Sequence, residues 1–596
     1  MKKFLTLENT KRFTSLLAIG FVIILYTIIK ATYFSQDFTG EHPMKYNAYV
    51  EPAVHMVENN NFAHYQKIYY SNPNDKQFGQ EDLLPQFPIL EWELASAFKI
   101  LSIFSIEQNT RLVMHMVGIW ILIFSFLFIK EFLNKTIAFL FILLLATNPI
   151  FNLSTFVTVY DSVILIFLFA SLYLLTLYLK QRKPTQLLTT AAIITGLGVA
   201  AKLTLLLWAF PIVTILILLK SPNLFTKLFD LIIFTLFMGI PYIVTKYTIP
   251  TIGQNTFQNT LILVATIFLT ILLTKFLDKH KQKIIIYLEL LHTNKFLIPL
   301  IILTTLPILL ISAYLFYEPS VVQESITDMT LLFNMDMYLF MAKQFVRHLG
   351  IPLAIISIAG LLSLIFTKEK DVKVLCFSFL TAGIFFLLTS AKSIFFHDYY
   401  TVFLMVVALL LASVGVHFVM QKTKHIGINV LLLSLIFFFI LLPRISSSQE
   451  RFETQQEDFN QALEYFIENT DEKDFYIDEV QATYFSLYSN RPRVGDLVML
   501  ESENMKTDVR EMGFKNAMDK YNLKYLITFN EEVEYEKYAN IFSENDLQRP
   551  SYRRSDLILS IINPEKYEYF EDMKEREKIV EELNLKNNFA FCISLL

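Results

Sequence analysis

Apolar runs long enough to cross a bilayer recur between residues 15 and 443, and this repetition leaves the chain few folds. A helical span of the hydrocarbon core takes about 20 apolar residues. Lipid offers no water to the main chain, so the spans must be helices or a closed barrel. Thirteen spans can be laid out, at 15–32, 111–132, 136–153, 162–180, 186–201, 203–220, 228–246, 258–275, 296–316, 350–367, 373–391, 401–420 and 426–443. Composition agrees: 54% of the residues are hydrophobic and mean hydropathy is +0.45, outside the range of soluble domains. The first run follows Lys2, Lys3, Lys11 and Arg12, exceeds a signal-peptide core and precedes no small-residue cleavage site. It is expected to be a retained helix.

The loops alternate in charge. With a cytoplasmic N-terminus, every second loop is basic: Lys130 and Lys135; Lys180, Arg182 and Lys183; Lys220 and Lys227; Lys275, Lys279, Lys281, Lys283 and Lys295; Lys368, Lys370 and Lys373; Lys422 and Lys424. The short loops of opposite parity carry only Lys202, Lys246, Lys343, Arg347 and Lys392. Basic loops stay in the cytoplasm, which predicts a multi-pass protein of the cell (plasma or inner) membrane with its N-terminus inside. An odd number of spans then puts residues 33–110 and 444–596 outside.

A net charge of −4 conceals two different parts. From Ser447 onward there are 18 Lys and Arg against 32 Asp and Glu; the rest of the chain has 33 against 23. A basic membrane domain (1–443) followed by an acidic outer one (444–596) fits this split. In the tail, DFYIDEV, KYLITF, LILSII and FAFCISLL read as strands, and residues 509–520 and 535–542 as helices, which predicts a small α/β domain. Its acidity argues against anionic lipid headgroups as its main partner, and no nucleic-acid partner is expected. Cys376 lies in an apolar run and Cys592 near the C-terminus, so neither a disulfide framework nor a thiolate metal site is expected. The absence of an internal repeat counts against a secondary transporter.

The first outer loop holds Asp37, Glu41, His42, Glu51, His55, Glu58, Glu81, Asp82, Glu91 and Glu93. A solvated acidic surface accounts for most of them. Asp37 and Glu41 differ in following the first span directly, where a membrane-bound substrate is met and a carboxylate can act as a base. Residues 48–59 have helical spacing, with Glu51, His55 and Glu58 on one face. Glu51 and His55 stand i, i+4 and could hold a divalent metal with a third ligand. No second motif supports that, so it is the minor reading and no cofactor is required. Residues 88–106 are amphipathic and too charged to span, as expected of a helix lying in the interface.

Three further places carry ionisable groups at the outer ends of spans. Asp161 opens the run SVILIFLFASLYLL, where a carboxylate can serve as helix cap, as functional acid or as both. Lys202 separates two apolar runs in GLGVAAKLTLLLWAF; it either snorkels to the interface or meets an anion such as a lipid phosphate. His397, Asp398, Tyr399 and Tyr400 lie in SAKSIFFHDYYTVF. An interfacial aromatic belt explains the Phe residues and one Tyr but not the adjacent His and Asp. With 15 Gly in 596 residues there is no phosphate-binding Gly loop, and no nucleophile elbow, metalloprotease helix or kinase signature is present.

In order along residues 1–443, four segments resemble the GT-C glycosyltransferases of the protein O-mannosyltransferase and aminoarabinose-transferase type. They are LPQFPILEWELASAFKIL with TRLVMHMVGIWI; ATNPIFNLSTFVTVYDSVILIFLFASLYLL; GLGVAAKLTLLLWAFPI; and SAKSIFFHDYYTVFLMVVALL. The resemblance implies transfer of a sugar from a polyprenyl-phosphate donor at the outer face, with inversion, and a first-loop carboxylate as general base. In DFTGEHPMKYNAYVEPAV, Glu41 with Lys45 is the nearest match to that base and Asp37 the other. Gln86 departs from the acid that the family often has before Phe-Pro. Lys45, Lys202, His397, Tyr399 and Tyr400 are the implied contacts to donor phosphate and sugar, and Asp161 joins Glu41 and Asp37 as a catalytic candidate.

The expected function is thus a membrane glycosyltransferase whose acceptor is lipid, protein or envelope glycan. A lipid-linked oligosaccharide ligase or polymerase is the alternative. A transporter or flippase ranks third, because the ionisable groups gather at the outer ends of spans and not at the midplane. An inactive scaffold is supported only by Gln86 and the displaced acids.

Overall fold

The computed structural model describes residues 7–31, 43–58, 88–181, 185–248, 270–286, 335–390 and 400–423, three short strands and a few isolated positions. The chain divides into two compact units. One comprises Met1–Ala31, Pro85–Ile89 and His115–Ser446, the other Thr32–Leu84, Leu90–Met114 and Ser447–Leu596.

The first unit is helical. Its elements are α1 (Leu7–Ala31), most of α4 (Ile106–Phe132), α5 (Lys135–Ala146), α6 (Pro149–Ser154), α7 (Tyr160–Gln181), α8 (Thr185–Ala201), α9 (Thr204–Lys220), α10 (Leu224–Thr248), α11 (Met335–Leu349), α12 (Ile351–Phe366), α13 (Lys370–Thr389) and α14 (Thr401–Thr423). Residues 270–286 are also helical. Among the described residues six helices are long and apolar enough to cross a membrane: Phe13–Ala31, Ile106–Phe132, Tyr160–Lys180, Leu224–Pro241, Lys370–Thr389 and Thr401–Thr423. The pair Met337–Leu349 and Ile351–Phe366, which turns by 101°, makes a seventh only if it is counted as one broken span and not as a re-entrant loop. Gly350 makes the bend at φ 75°, a left-handed conformation that only glycine adopts freely.

Of the thirteen spans expected from sequence, 296–316 lies outside the described residues, as do most of 258–275 and 426–443. The run at 136–153 differs from expectation. It breaks into α5, 12 residues and about 18 Å long, and the six-residue α6. The break is local chemistry: Asn148 caps α6 by accepting from the Phe151 N–H at 3.1 Å, and Pro149 takes the first helical position.

Close contacts fix the bundle. A Cβ on Gly360 of α12 would lie 1.9 Å from the Leu411 carbonyl oxygen of α14. Beside it, Ser357 Oγ donates to the Ala408 carbonyl at 2.9 Å, so these helices meet through main chain. Trp208 of α9 stacks on Phe403 of α14 at 5.4 Å and packs against Phe386 of α13 at 5.6 Å. Where α7 ends, Tyr178 Oη donates to Asp230 Oδ1 at 2.5 Å, Ser221 Oγ donates to Oδ2 at 2.8 Å, and Lys281 Nζ donates to Tyr178 Oη at 2.5 Å.

The second unit contains α2 (Pro43–Glu58), α3 (Ile89–Ile100) and a three-stranded sheet. The helix expected over 48–59 is α2, begun five residues earlier; that expected over 88–106 is α3, which stops at Ile100. Lys99 Nζ donates to Asn60 Oδ1 at 2.6 Å. Strands β1 (Phe475–Asp478), β2 (Arg493–Asp496) and β3 (Leu523–Ile527) pair in the order β2-β1-β3, all parallel. β1 and β3 fall in the expected strands DFYIDEV and KYLITF. The other two expected strands and both tail helices lie outside the described residues.

Candidate active site

The main chain before α7 is short, polar and buried. Thr147, Asn148, Asn152, Ser154, Thr155 and Thr158 are all buried. Several of them bond locally: Asn152 Nδ2 donates to the Ala146 carbonyl at 3.2 Å and Thr155 Oγ1 to the Phe151 carbonyl at 2.6 Å, while Asn148 Nδ2 and Asn152 Oδ1 have no hydrogen-bond partner among the described residues. A tight turn follows, in which the Val159 N–H reaches the Val157 carbonyl at 2.9 Å and Ser162 Oγ donates to the Val159 carbonyl at 2.9 Å. This turn starts α7 and sets Asp161 in its first turn, fully buried.

Lys202 arrives from the α8–α9 break. Its N–H bonds the Gly198 carbonyl at 2.9 Å, closing α8, and its own carbonyl accepts from the Leu205 N–H at 3.1 Å, opening α9. A Cβ on Gly198 would lie 2.7 Å from Phe167 Cβ of α7, so this end of α8 presses on α7. Lys202 Nζ then donates to Asp161 Oδ2 at 2.6 Å. It also lies 4.5 Å from the ring centroid of Tyr400, the residue preceding α14. Burial raises the Tyr400 phenol above its ordinary pKa against the pull of the ammonium, so the ring stays neutral. Asp161 Oδ1 is buried and has no hydrogen-bond partner among the described residues.

This arrangement can hold an anion and a hydroxyl side by side. The Lys202 side chain keeps 17% of its surface exposed, so its positive charge is open to an anion. Oδ1 of the buried carboxylate is left as an acceptor without a partner among the described residues. A cation between a carboxylate and an aromatic face is charge-balanced before any ligand enters, which preorganises the site.

Three residues singled out in the sequence thus meet: Asp161, Lys202 and Tyr400. Asp37, Glu41, His397, Asp398 and Tyr399 lie outside the described residues. Lys45, Glu51 and His55 fall on α2 in the second unit, and their side chains lie outside the described residues. Among the described residues no three His, Cys, Asp or Glu gather to hold a metal.

Sequence reasoning missed a cluster at the end of α1. Lys30 is buried, and its Nζ donates to the Asn152 carbonyl and lies 5.7 Å from the Tyr26 ring and 5.5 Å from the Phe156 ring. Tyr26 Oη donates to Thr155 Oγ1 at 2.8 Å. The available signal was the i, i+4 spacing of Tyr26 and Lys30, which puts both on one helix face. A groove of about 490 Å³ also opens among α11–α14, lined almost wholly by apolar groups such as Phe345, Leu349, Leu380 and Leu404. Thr401, next to Tyr400 in the chain, lines it too.

Residues 85–247, which carry Asp161 and Lys202, match the family of dolichyl-phosphate-mannose-protein mannosyltransferases. No curated protein sequence matches the chain. Among solved structures, the fold is similar to the oligosaccharyltransferase AglB of the archaeon Archaeoglobus fulgidus in complex with an inhibitory peptide and a dolichol-phosphate. The TM-score is 0.58 at 13% identity, covering 89% of this chain and 71% of that one. The Archaeoglobus fulgidus oligosaccharyltransferase in complex with zinc and sulfate gives 0.54 at 14% identity, covering 89% and 70%. The form tethered to an acceptor peptide gives 0.57 at 13%, covering 93% and 72%. The fold is that of GT-C membrane glycosyltransferases. That fold and the family match over residues 85–247 together support a glycosyltransferase.

Proposed function

We propose that this protein transfers a sugar from a polyprenyl-phosphate donor to a lipid, protein or envelope-glycan acceptor at the outer face of the cell membrane, with inversion. The observation that carries the reading is the Asp161–Lys202–Tyr400 group, next in sequence to an apolar groove. The donor has the same two halves: a charged phosphate and an isoprenoid tail that buries favourably at about 25 cal/mol per Å². Lys202 stabilises the lipid phosphate as the bond from its oxygen to the anomeric carbon breaks and the electron pair stays on the phosphate. Asp161 Oδ1 accepts from a sugar hydroxyl and fixes the ring. The acceptor oxygen attacks the opposite face of that carbon and gives its proton to a carboxylate of the first outer loop, Glu41 or Asp37. Lys45, His397 and Tyr399 complete the donor contacts.

In this reading residues 1–443 form the membrane domain with an N-terminus inside, 33–110 the outer loop that bears the base, and 444–596 an outer α/β domain. The exposed Ile100 and Ile103 at the end of α3 suit a helix resting in the interface. The likeness to an oligosaccharyltransferase favours one second reading, a ligase that takes a lipid-diphosphate oligosaccharide. Mass spectrometry of envelope glycans and glycoproteins, with and without the protein, separates the two. Loss of a single sugar supports the first reading and loss of a whole oligosaccharide the second.

A further inference from the structure

Residues 148–159, which deliver Asp161, contain no element longer than α6. Their internal bonds are local, three or four residues apart for the most part, and local bonds do not fix the segment against the rest of the bundle. Two long-range hydrogen bonds reach it from α1. Tyr26 Oη donates to Thr155 Oγ1 at 2.8 Å across 129 residues, and Lys30 Nζ donates to the Asn152 carbonyl across 122.

The surroundings are shaped to admit these tethers. A Cβ on Gly118 of α4 would lie 2.1 Å from Tyr26 Oη, so any side chain there would bar the phenol from Thr155. His115, one turn before Gly118, lies flat on the Tyr26 ring, centroids 5.0 Å apart and planes 5° from parallel. Its Nε2 is 3.2 Å from Thr27 Oγ1. The ring is therefore held in the one orientation that reaches Thr155. From Thr155 the turn runs on without slack: Phe156 and Val157 both bond the Leu153 carbonyl, Val159 bonds Val157, and Ser162 bonds Val159.

We infer that Tyr26 and Lys30 are positioning residues. They pin the main chain at Asn152–Thr155 and so set where the Asp161 carboxylate meets Lys202. This rests on the reading of Asp161 as a site residue. Misplacement of a reacting or orienting group by about 1 Å costs on the order of 100-fold in rate, so loosening either tether should depress sugar transfer without any contact to substrate.

The test uses the full-length protein in lipid nanodiscs, with Tyr26→Phe, Lys30→Met, Lys30→Arg and Asp161→Asn. Two quantities are read: sugar transfer, and the rate at which an amine-reactive ester modifies Lys202, followed by peptide mass spectrometry. A Lys202 freed from its carboxylate labels faster, whatever Asp161 does in catalysis. We expect Tyr26→Phe and Lys30→Met, at temperatures where both remain folded, to label Lys202 several-fold faster, approaching Asp161→Asn. Transfer should fall roughly 10–100-fold, and Lys30→Arg should restore much of both. Tyr26→Phe removes one oxygen only, and it decides the matter if Lys30→Met does not fold. Wild-type labelling in the folded variants overturns the inference, whether or not transfer falls. Faster labelling with unchanged transfer upholds the tether and overturns the role of Asp161.

Discussion

Lys202 Nζ and Asp161 Oδ2 are 2.6 Å apart, the carboxylate fully buried and the ammonium partly open. Taking two charges out of water is costly, and removing one partner leaves the other without compensation, at about 3–5 kcal/mol for a buried pair. Because Lys202 keeps some exposure, the lower end of that range applies. Asp161→Asn and Lys202→Met should each lower thermal stability, and the double variant should lose less than the sum. Scanning calorimetry of the four proteins in nanodiscs measures the coupling; strict additivity would mean the pair does not interact.

Tyr400 meets the same ammonium with its ring, and its hydroxyl is hydrogen-bonded to Lys202 as well. Tyr400→Phe keeps the aromatic face and should leave transfer within about threefold, whereas Tyr400→Leu forfeits about 0.5–2 kcal/mol of cation–π attraction and should raise the donor KM accordingly. Equal effects of Phe and Leu would assign the role to the hydroxyl.

The same phenol gives a pH dependence with a definite sign. Its folded pKa is raised above the ordinary 10.0 by burial. Above pH 10 the unfolded chain ionises this group while the folded one holds it neutral, so its contribution to stability is constant below that pH and is lost as pH rises. Tyr400→Phe should melt less steeply than wild type between pH 9.5 and roughly 11, as circular dichroism would show.

Ala342 lines the apolar groove from an exposed position on α11. Ala342→Trp should occupy part of the groove and raise the KM for a long polyprenyl donor about tenfold, with a smaller effect on a short-chain analogue. An equal effect on both donors would place the tail elsewhere.

Gly360 tests the bundle itself. With a Cβ meeting the Leu411 carbonyl oxygen at 1.9 Å, Gly360→Ala must push α12 from α14 and should destabilise by about 1–3 kcal/mol or more. An unchanged melting temperature would contradict the packing described.

Much of the site could be read from the sequence because its charges stand alone in apolar surroundings. Asp161 and Lys202 each interrupt an apolar run, and a lone charge there needs a partner. That they partner each other required the hairpin at Lys202 to fold back on the start of α7, which spacing does not give. Lys30 escaped notice because a lysine at the end of a span ordinarily snorkels to water, yet here it turns inward to a main-chain carbonyl. The run 136–153 looked continuous because Ile150, Phe151 and Leu153 resume the apolar pattern. Asn148-Pro149, a cap followed by a helix-starting proline, was the overriding signal. β2 was missed since RVGD is too short and too polar to alternate, and only its parallel neighbour β1 defines it.

The central claim is sugar transfer from a lipid monophosphate through the Asp161–Lys202 pair. Its most direct measurement is transfer by the purified protein in nanodiscs from a radiolabelled polyprenyl-phosphate sugar to envelope acceptors. Asp161→Asn, Lys202→Met, Glu41→Gln and Asp37→Asn are assayed alongside. The account predicts transfer by the wild type, inverted at the anomeric carbon. It predicts losses on the order of 100–10,000-fold for the variant that removes the base, Glu41→Gln or Asp37→Asn, and large losses for both variants of the pair. Wild-type rates in Asp161→Asn and Lys202→Met, or transfer only from a diphosphate donor, would contradict it.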